Sequence, residues 1–325
     1  HNTTAREPGL KRHGRIVAWS PVYYGWIILI AAAIGRIMTS PGQTYAVSIF
    51  IQHFIRELGI SRSLVSTLYT LGTLAGGLAL PFVGRQIDRR GPRAMVGVIT
   101  ALFAVACVYM GFVRNAVMLG VGFVLIRMLG QGSLGMVCSN VVNRWWVRRR
   151  GAILGLLGMA TSVLGTGTFP ALIDALIARY GWRLSYVLLG GMVAVVMLPV
   201  GLIFFRRQPE DYGLLPDGAP TTPAGAEGAL DDEVHWTREE AVRTSAFWIL
   251  STGLACISML GTGLHFHMVS IFEDAGLSAA AAAAAFMPLA VTGAIVRLAS
   301  GVLVDRVPAR YLLSGALVGL AASLW

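Results

Sequence analysis

Long, nearly uninterrupted apolar runs recur along the chain and are separated by short polar segments rich in arginine. Most runs are about 20 residues or longer, the length of an α-helix that crosses a hydrocarbon layer of about 30 Å. They are continuous and rich in Gly and Ala, whereas the strands of a membrane barrel alternate apolar and polar residues over about 10 positions. The pattern predicts an all-α membrane protein with eight complete spans and the start of a ninth, at residues 22–51, 64–84, 94–113, 117–142, 151–177, 184–205, 245–272, 279–304 and 311–325.

The longest polar segment divides these spans into two groups. Residues 206–243 contain Pro, Gly and a short acidic run, which is typical of a linker, and we expect one short helix near 236–241. The predicted organisation is therefore an N-terminal half at 1–205 with six spans, a cytoplasmic linker at 206–243, and a partial C-terminal half at 244–325.

Composition and charge agree with a membrane protein and orient it. Of the 325 residues, 55% are hydrophobic and 13% are charged, against about 25% charged in a soluble domain. Of the 26 Lys and Arg residues, 18 lie in segments on the side of the N-terminus, five lie on the opposite side and three lie within spans. Basic residues collect in cytoplasmic loops, so we expect a cytoplasmic N-terminus in the cell's inner (plasma) membrane. The net charge of +10 then reflects topology and does not indicate a nucleic-acid partner.

Two parts of the chain repeat each other. Residues 59–61 recur as 276–278, and the same offset carries the Gly-x-x-x-Asp-Arg pattern at 84–89 onto 301–306. Spans one and two are thereby repeated as spans seven and eight. Parallel repeats of this kind build transporters whose binding site lies between the halves, near the middle of the bilayer.

Three segments resemble a known family. Residues 84–93 are similar to the signature loop of the major facilitator superfamily, and residues 127–132 resemble its fourth-helix motif. Residues 144–151, with the Gly-rich span that follows, resemble the branch of oxalate/formate antiporters and monocarboxylate porters. Arg297 lies in span eight, where that branch carries a substrate-binding arginine. The resemblance implies two six-helix halves, so that this chain reads as truncated within the ninth helix.

The resemblance also implies a gate. In this family the signature loop latches the two halves on the cytoplasmic side in one conformation, and a change of access breaks the latch. The second copy of the loop lacks the glycine found at position 91 of the first. The residues expected to serve gating or conformational change are Gly84, Asp88, Arg89, Gly91, Arg93, Asp305, Arg306 and Arg127.

Three arginines, Arg36, Arg127 and Arg297, lie within predicted spans, where a charge costs about 2.5–3.5 kcal/mol on insertion scales. The acidic residue within a span is Asp174, close to the outer end. An anionic ligand would supply the missing negative charge, and arginine suits a carboxylate because it binds both oxygens. Anion exchange is favoured over proton symport because no acidic relay is visible in mid-membrane.

Helical spacing adds polar partners to these arginines. Arg36, Ser40 and Gln43 are spaced as one stripe of span one, and their repeat partners include His265 on span seven. For His265, a histidine bonded within its own bundle is the alternative, and for Arg127 it is a role in ordering the bundle. The expected substrate-binding residues are Arg297, Arg36, Gln43, His265, Tyr45 and Tyr69.

Enzymatic motifs are missing from the sequence. The only lysine is Lys11, which excludes a Gly-Lys-Ser/Thr phosphate loop and an ATP-driven pump. We expect no enzyme activity, catalytic residue, metal or cofactor. The expected protein is a monomer in the lipid bilayer that carries a small organic anion, with a co-transported proton if transport is symport. Two alternatives stay open: a major facilitator transporter of an uncharged solute or drug, and a non-transporting membrane sensor.

Overall fold

A computed structural model describes residue 17 and residues 19–219 and 237–323. Most of the predicted N-terminal cytoplasmic segment and the acidic run of the linker lie outside the described residues. The described part is helical along every predicted span and contains no β-strand, which confirms the all-α class.

The helices follow the predicted spans closely. Span one consists of two helices, and spans five and six form one continuous stretch that turns at Gly181 (φ 74°, ψ 160°), a backbone conformation that favours glycine. In chain order the helical segments are Tyr24–Met38 and Thr44–Leu58 (span one), Arg62–Arg90 (two), Pro92–Gly111 (three), Ala116–Trp145 (four), Arg150–Phe204 (five and six), Ser245–Asp274 (seven), Ala279–Val304 (eight) and Ala309–Ser323 (nine).

Within the described ranges, six helices are long and apolar enough to cross a membrane. This number is lower than the nine predicted spans because spans five and six are joined and span one is divided. Span nine has 15 described residues, which is short of a full crossing.

Span one breaks in its middle. Ser40–Gly42 form a single 3-10 turn, and Gln43 has an extended backbone (φ −85°, ψ 154°) before the second helix begins. Pro41 has no N–H and restricts the residue before it, which explains why the helix stops there. The expectation that Arg36, Ser40 and Gln43 form one stripe of a continuous helix is therefore wrong.

Spans four and five each contain a wider helical segment. Arg127–Leu134 and Thr161–Gly167 have π-helical geometry, and both segments are rich in Gly and small polar residues. Segments of this kind are rare and concentrate at functional sites. Both lie against the break in span one, where Gly42 and Gly165 provide close contacts.

The first part of the linker is packed against the end of the N-terminal half that is predicted to be cytoplasmic. We call residues 205–219 the strap. Pro209 and Pro216 of the strap are buried, and Tyr212 and Leu214 pack against the core. The boundary at residue 206 stays a prediction, but the strap packs as part of the first half.

The short linker helix agrees with the expected position. Arg238–Val242 begins with a capping box in which Thr237 and Glu240 bond to each other's backbone amides. The Thr237 amide and hydroxyl donate to the Glu240 carboxylate and lower its pKa.

Candidate functional site

Arg127 is buried where span four changes to π geometry. Its Nε donates to Thr73 Oγ1 (3.0 Å), and its Nη1 donates to Gly42 O (3.2 Å) and Thr44 Oγ1 (3.3 Å). The guanidinium also lies 4.8 Å from the centroid of the Tyr69 ring. Arg127 therefore joins span four to span two and to the break in span one, which favours the ordering role over substrate contact.

Arg36 and Arg297 approach each other from opposite halves, and we call them the central arginine pair. The two guanidinium groups are within electrostatic range of each other. The Arg36 side chain makes no hydrogen bond or ion pair with another described residue, and its Nη1 lies 2.9 Å from the place a Cβ would take at Gly135. Arg297 donates one long hydrogen bond, 3.4 Å, to Gly158 O. Neither cation has a carboxylate partner in the described part of the chain.

Two hydroxyl groups lie beside the central arginine pair. Tyr45 OH and Ser40 Oγ are 2.8 Å apart, and both guanidinium groups are within electrostatic range of Tyr45. Gly165 in the π segment of span five fits against Tyr45 OH, which lies 3.0 Å from the position of a Cβ. The Tyr45 ring reaches Phe286 of span eight (centroids 6.5 Å apart). Tyr45 therefore lies between the halves, next to the pair.

Gln43 and His265 bond to their own segments. Gln43 Nε2 donates to Thr39 Oγ1 (2.9 Å). His265 Nδ1 lies 2.6 Å from Gly261 O one turn earlier in span seven, and its ring is 5.8 Å from the Phe286 ring. His265 is half-buried and faces the same span-eight ring as Tyr45, so it stays at the border of the region.

The halves also touch on the side of the central arginine pair that is outside in the predicted orientation. Gln52 Nε2 at the outer end of span one donates to Glu273 Oε2 of span seven. The Tyr69 ring of span two packs on Phe266 of span seven (centroids 4.6 Å apart), while Tyr69 OH contacts Thr44 Oγ1 at 2.8 Å. Tyr69 thus supports the Arg127 region and the contact between halves.

On the side predicted to be cytoplasmic, Asp305 of span eight binds the start of span five. Its two carboxylate oxygens accept hydrogen bonds from the amides of Gly151 (2.9 Å) and Ala152 (2.8 Å). Free amides and the helix dipole make a helix N-terminus attractive to a carboxylate. We call Asp305 and these two amides the cytoplasmic gate, after the orientation and the role that the sequence predicts.

Glycines bring spans five and eight together above this gate. A Cβ on Gly301 would lie 2.5 Å from Gly151 O and 2.7 Å from Gly155 Cα, and a Cβ on Gly155 would lie 2.8 Å from Arg297 O. The two backbones are therefore closer than any residue with a side chain allows. This crossing places Arg297 at the centre of the interface between spans five and eight, and Asp305 at the end of that interface that is predicted to be cytoplasmic.

The first copy of the loop is arranged differently. Asp88 pairs with Arg144 of span four at 2.8 Å, and Arg144 also donates to Asn140 Oδ1. This pair lies within one half and is solvent-exposed, with 65% of the Asp88 side chain accessible. The structure thus places Asp305 between the halves and Asp88 within the first half.

The other expected gating residues surround these two loops. Gly91 (φ 82°) forms the turn between spans two and three, and Arg93 Nε donates to Leu202 O at the end of span six. Gly84 faces Met136 of span four, while Arg89 and Arg306 are exposed. These contacts join cytoplasmic helix ends but do not link the two halves.

The chemistry of the centre is cationic. No group of three or more His, Cys, Asp or Glu side chains that could hold a metal occurs in the described ranges. What converges at the centre is the central arginine pair with the hydroxyls of Ser40 and Tyr45. Such a set can hold a small anion by charge-assisted hydrogen bonds.

Sequence reasoning missed several residues of this region. The π segments bring Thr161, Ser162 and Thr166 of span five towards span one or span eight, and Ser162 Oγ lies 3.0 Å from the Cβ position of Gly293. The run of Gly, Ser and Thr at 161–168 was the available signal. Asp217 of the strap, described below, had no signal beyond its place in a polar linker.

A helical membrane protein whose two groups of spans meet around cationic side chains is the class defined by this fold and site. The family model described as Major Facilitator Superfamily matches residues 25–325, and the chain belongs to this family.

Curated relatives are similar at low identity. A "Probable L-galactonate transporter" of Escherichia coli K12 is 26% identical over 62% of this chain, and the "Oxalate:formate antiporter" of Oxalobacter formigenes is 24% identical over 78%. "Monocarboxylate transporter 11" of Mus musculus is 26% identical over 91%. The chain spans 44%, 57% and 64% of the lengths of these relatives, in the same order.

Among solved structures, the fold is similar to a bacterial homologue of the human lysosomal transporter Spinster in its inward-facing, unoccupied conformation. The TM-score is 0.59 and the identity is 19%, over 84% of this chain and 61% of that one.

Proposed function

We propose that the protein is a secondary transporter that moves a small organic anion, a mono- or dicarboxylate, across the inner membrane by alternating access. The observation that carries this proposal is the central arginine pair: two cations from opposite halves, in an apolar span environment, with no carboxylate partner in the described residues.

Charge balance is the first argument for an anion. A cation within the membrane is costly unless it is paired. The Arg127 side chain makes three hydrogen bonds, whereas the Arg297 side chain makes one and the Arg36 side chain makes none with the described residues. A bound carboxylate would neutralise the pair and accept several charge-assisted hydrogen bonds at once.

The hydroxyl groups beside the pair give the site its polarity. Tyr45 and Ser40 donate or accept hydrogen bonds without adding charge, so they suit the second carboxylate oxygen or a neutral group of the substrate. In this proposal Arg297 grips the carboxylate, Arg36 and Tyr45 complete the grip, and Gln43, His265 and Tyr69 border it.

Contacts between the halves on both sides of the pair support alternating access. The Gln52–Glu273 contact lies on the outer side, and the cytoplasmic gate on the inner side. Opening one while the other stays closed would expose the central arginine pair to one side at a time.

The arginine-rich loops support a cytoplasmic N-terminus, and the names of two relatives contain oxalate, formate or monocarboxylate. Exchange of anions is favoured over proton symport because no carboxylate of the described residues pairs with either arginine.

Counterflow in proteoliposomes tests this proposal. Vesicles that contain the protein are loaded with unlabelled oxalate, formate, lactate or pyruvate and offered the radiolabelled form. We expect uptake of one of these anions, and its loss in Arg297→Ala. Arg310→Gln is the matched control, because Arg310 is an exposed arginine whose side chain contacts Tyr311 at the start of span nine. Uptake of none of them by folded protein, or full uptake by Arg297→Ala, would contradict the proposal.

A further inference from the structure

The Asp217 carboxylate binds three successive backbone amides. Its Oδ2 accepts from Val147 N (3.0 Å) and Arg148 N (2.8 Å), and its Oδ1 accepts from Arg149 N (3.2 Å). These amides form the loop between spans four and five, and Asp217 lies 68–70 residues further along the chain, in the strap. A polar linker residue is thereby tied to the start of a membrane span.

The same loop continues directly into the cytoplasmic gate. Span five begins at Arg150, and the next two amides, those of Gly151 and Ala152, bind Asp305. Two carboxylates therefore bind one stretch of backbone amides. Asp217, in the strap that packs on the first half, accepts from the amides of residues 147–149, and Asp305 of the other half accepts from those of residues 151–152. The orientation of the Gly151 and Ala152 N–H groups depends on how the amides of residues 147–149 are held.

The strap keeps Asp217 in a fixed place. Its backbone is left-handed (φ 59°), a conformation that Asp and Asn tolerate better than most residues. Pro216 before it is buried, and Gly218 after it lies against the Tyr23 ring. Tyr23 OH in turn donates to Trp145 O at the end of span four (2.8 Å). The loop is thus held between span four and the strap.

We propose that Asp217 is a positioning residue for the cytoplasmic gate: it fixes the loop so that the amides of Gly151 and Ala152 are presented to Asp305 when the halves close. The inference rests on the alternating access proposed above. Pre-organised partners lose less entropy when they meet, so a fixed loop favours the closed gate. Asp217 touches neither the central arginine pair nor the substrate region.

A competing effect predicts the opposite sign. Asp217 and Asp305 are both anionic and bind neighbouring parts of one loop, so their mutual repulsion would weaken the gate. If repulsion dominated, removal of the Asp217 charge would strengthen the contact of Asp305 with Gly151 and Ala152.

Amide hydrogen exchange distinguishes the positioning effect from the repulsion. It is resolved to single residues, in protein held in lipid nanodiscs without any added anion. Asp217→Asn removes the charge but keeps a side chain that accepts the left-handed backbone. We expect faster exchange at Val147–Arg149, and also at Gly151 and Ala152, by about fivefold or more, which is the lower end of typical coupling between sites. Asp211→Asn is the matched control, because Asp211 lies in the same strap and bonds to Gln208; it should leave all five amides unchanged.

A double variant shows whether Asp217 acts through Asp305. In Asp305→Asn we expect faster exchange at Gly151 and Ala152, and adding Asp217→Asn should cause little further increase there. Faster exchange confined to 147–149, unchanged exchange at all five amides, or slower exchange at 151–152 would each overturn the proposal. If Asp217→Asn does not fold, Asp217→Gly removes the same carboxylate and suits a positive φ, and the same outcomes apply.

The result does not depend on the substrate. A positive exchange result with no counterflow of any carboxylate would leave the gate inference standing and remove the proposed substrate class. Counterflow of a carboxylate, with no effect of Asp217→Asn on exchange at Gly151 and Ala152, would leave the proposed substrate class standing and overturn the gate inference.

Discussion

Arg127 and the central arginine pair place the same guanidinium group in two different surroundings inside the membrane. Arg127 has two hydroxyl acceptors, a backbone carbonyl and an aromatic face, all from the first half. Arg36 and Arg297 come from different halves; the Arg297 side chain donates one long hydrogen bond, to Gly158 O, and the Arg36 side chain makes none with the described residues. The difference teaches that position within a span does not assign a role; the completeness of the contacts does. We therefore propose that Arg127 orders the bundle and that the central arginine pair is available to a ligand.

The largest effect is expected when the central arginine pair is broken. Arg36→Gln and Arg297→Gln should each weaken carboxylate binding by about 10-fold or more, because hydrogen bonds to a charged group contribute about 1.5–3 kcal/mol. The double variant should lose less affinity than the product of the two single-variant losses, because both residues bind the same carboxylate. Binding of the anion found by counterflow, measured by calorimetry on the four proteins, checks this. Additive losses would contradict a shared site.

The next largest effect is expected at Arg127. Arg127→Gln should lower the free energy of unfolding by about 2–3 kcal/mol, because hydrogen bonds to a charged group are lost and buried acceptors are left unsatisfied. Denaturant unfolding of the purified protein measures it, with Arg310→Gln as the exposed control. A change within about 0.5 kcal/mol, as for an ordinary surface position, would show that the contacts of Arg127 contribute little.

The crossing of spans five and eight should respond to a single methyl group. Gly301→Ala places a Cβ 2.7 Å from Gly155 Cα, and we expect a loss of about 1–3 kcal/mol from overpacking together with faster amide exchange at Gly151 and Ala152. Gly191→Ala in span six is the control, because no atom lies within 4 Å of its Cβ position. Equal free energies of unfolding and equal amide exchange in the two variants would mean that spans five and eight can move apart without loss of stability.

The smallest effect is expected at the first loop copy. Asp88→Asn should change stability by less than about 1 kcal/mol, because the Asp88–Arg144 pair is exposed and screened by salt. It should also leave the exchange of Gly151 and Ala152 unchanged, in contrast to Asp305→Asn. Thermal unfolding at low and high salt and amide exchange measure both. A large effect of Asp88→Asn on those two amides would mean that both loop copies serve the gate.

Much of the fold could be predicted because apolar runs and arginine-rich loops are properties of the sequence itself. The repeat also predicts Asp305 at a helix end, and the structure has it directly after the helix of span eight. The break at Ser40–Gly42 had a visible signal in Pro41, but its effect on the stripe from Arg36 to Gln43 depends on where the chain resumes its helix. The π segments follow from local packing of small residues, which spacing rules do not resolve.

The site was less predictable for a physical reason. Arg36, Arg127 and Arg297 are alike in sequence terms, and they differ only in the partners that tertiary structure supplies. Asp217 shows the same limit, since its three amide partners lie 68–70 residues away. Residue type and spacing predict which groups are costly to bury, whereas contacts decide which of them are satisfied.

The most direct test compares Arg297→Gln with Arg127→Gln in one experiment. The midpoint of thermal unfolding is measured for both variants and the unsubstituted protein, with and without the carboxylate identified by counterflow. A ligand at about 100 times its dissociation constant stabilises by about 2.7 kcal/mol. We predict that Arg297→Gln keeps its midpoint without ligand and gains nothing from the carboxylate, while Arg127→Gln starts lower and is still stabilised. Stabilisation of Arg297→Gln by the carboxylate, with none for Arg127→Gln, would contradict the account.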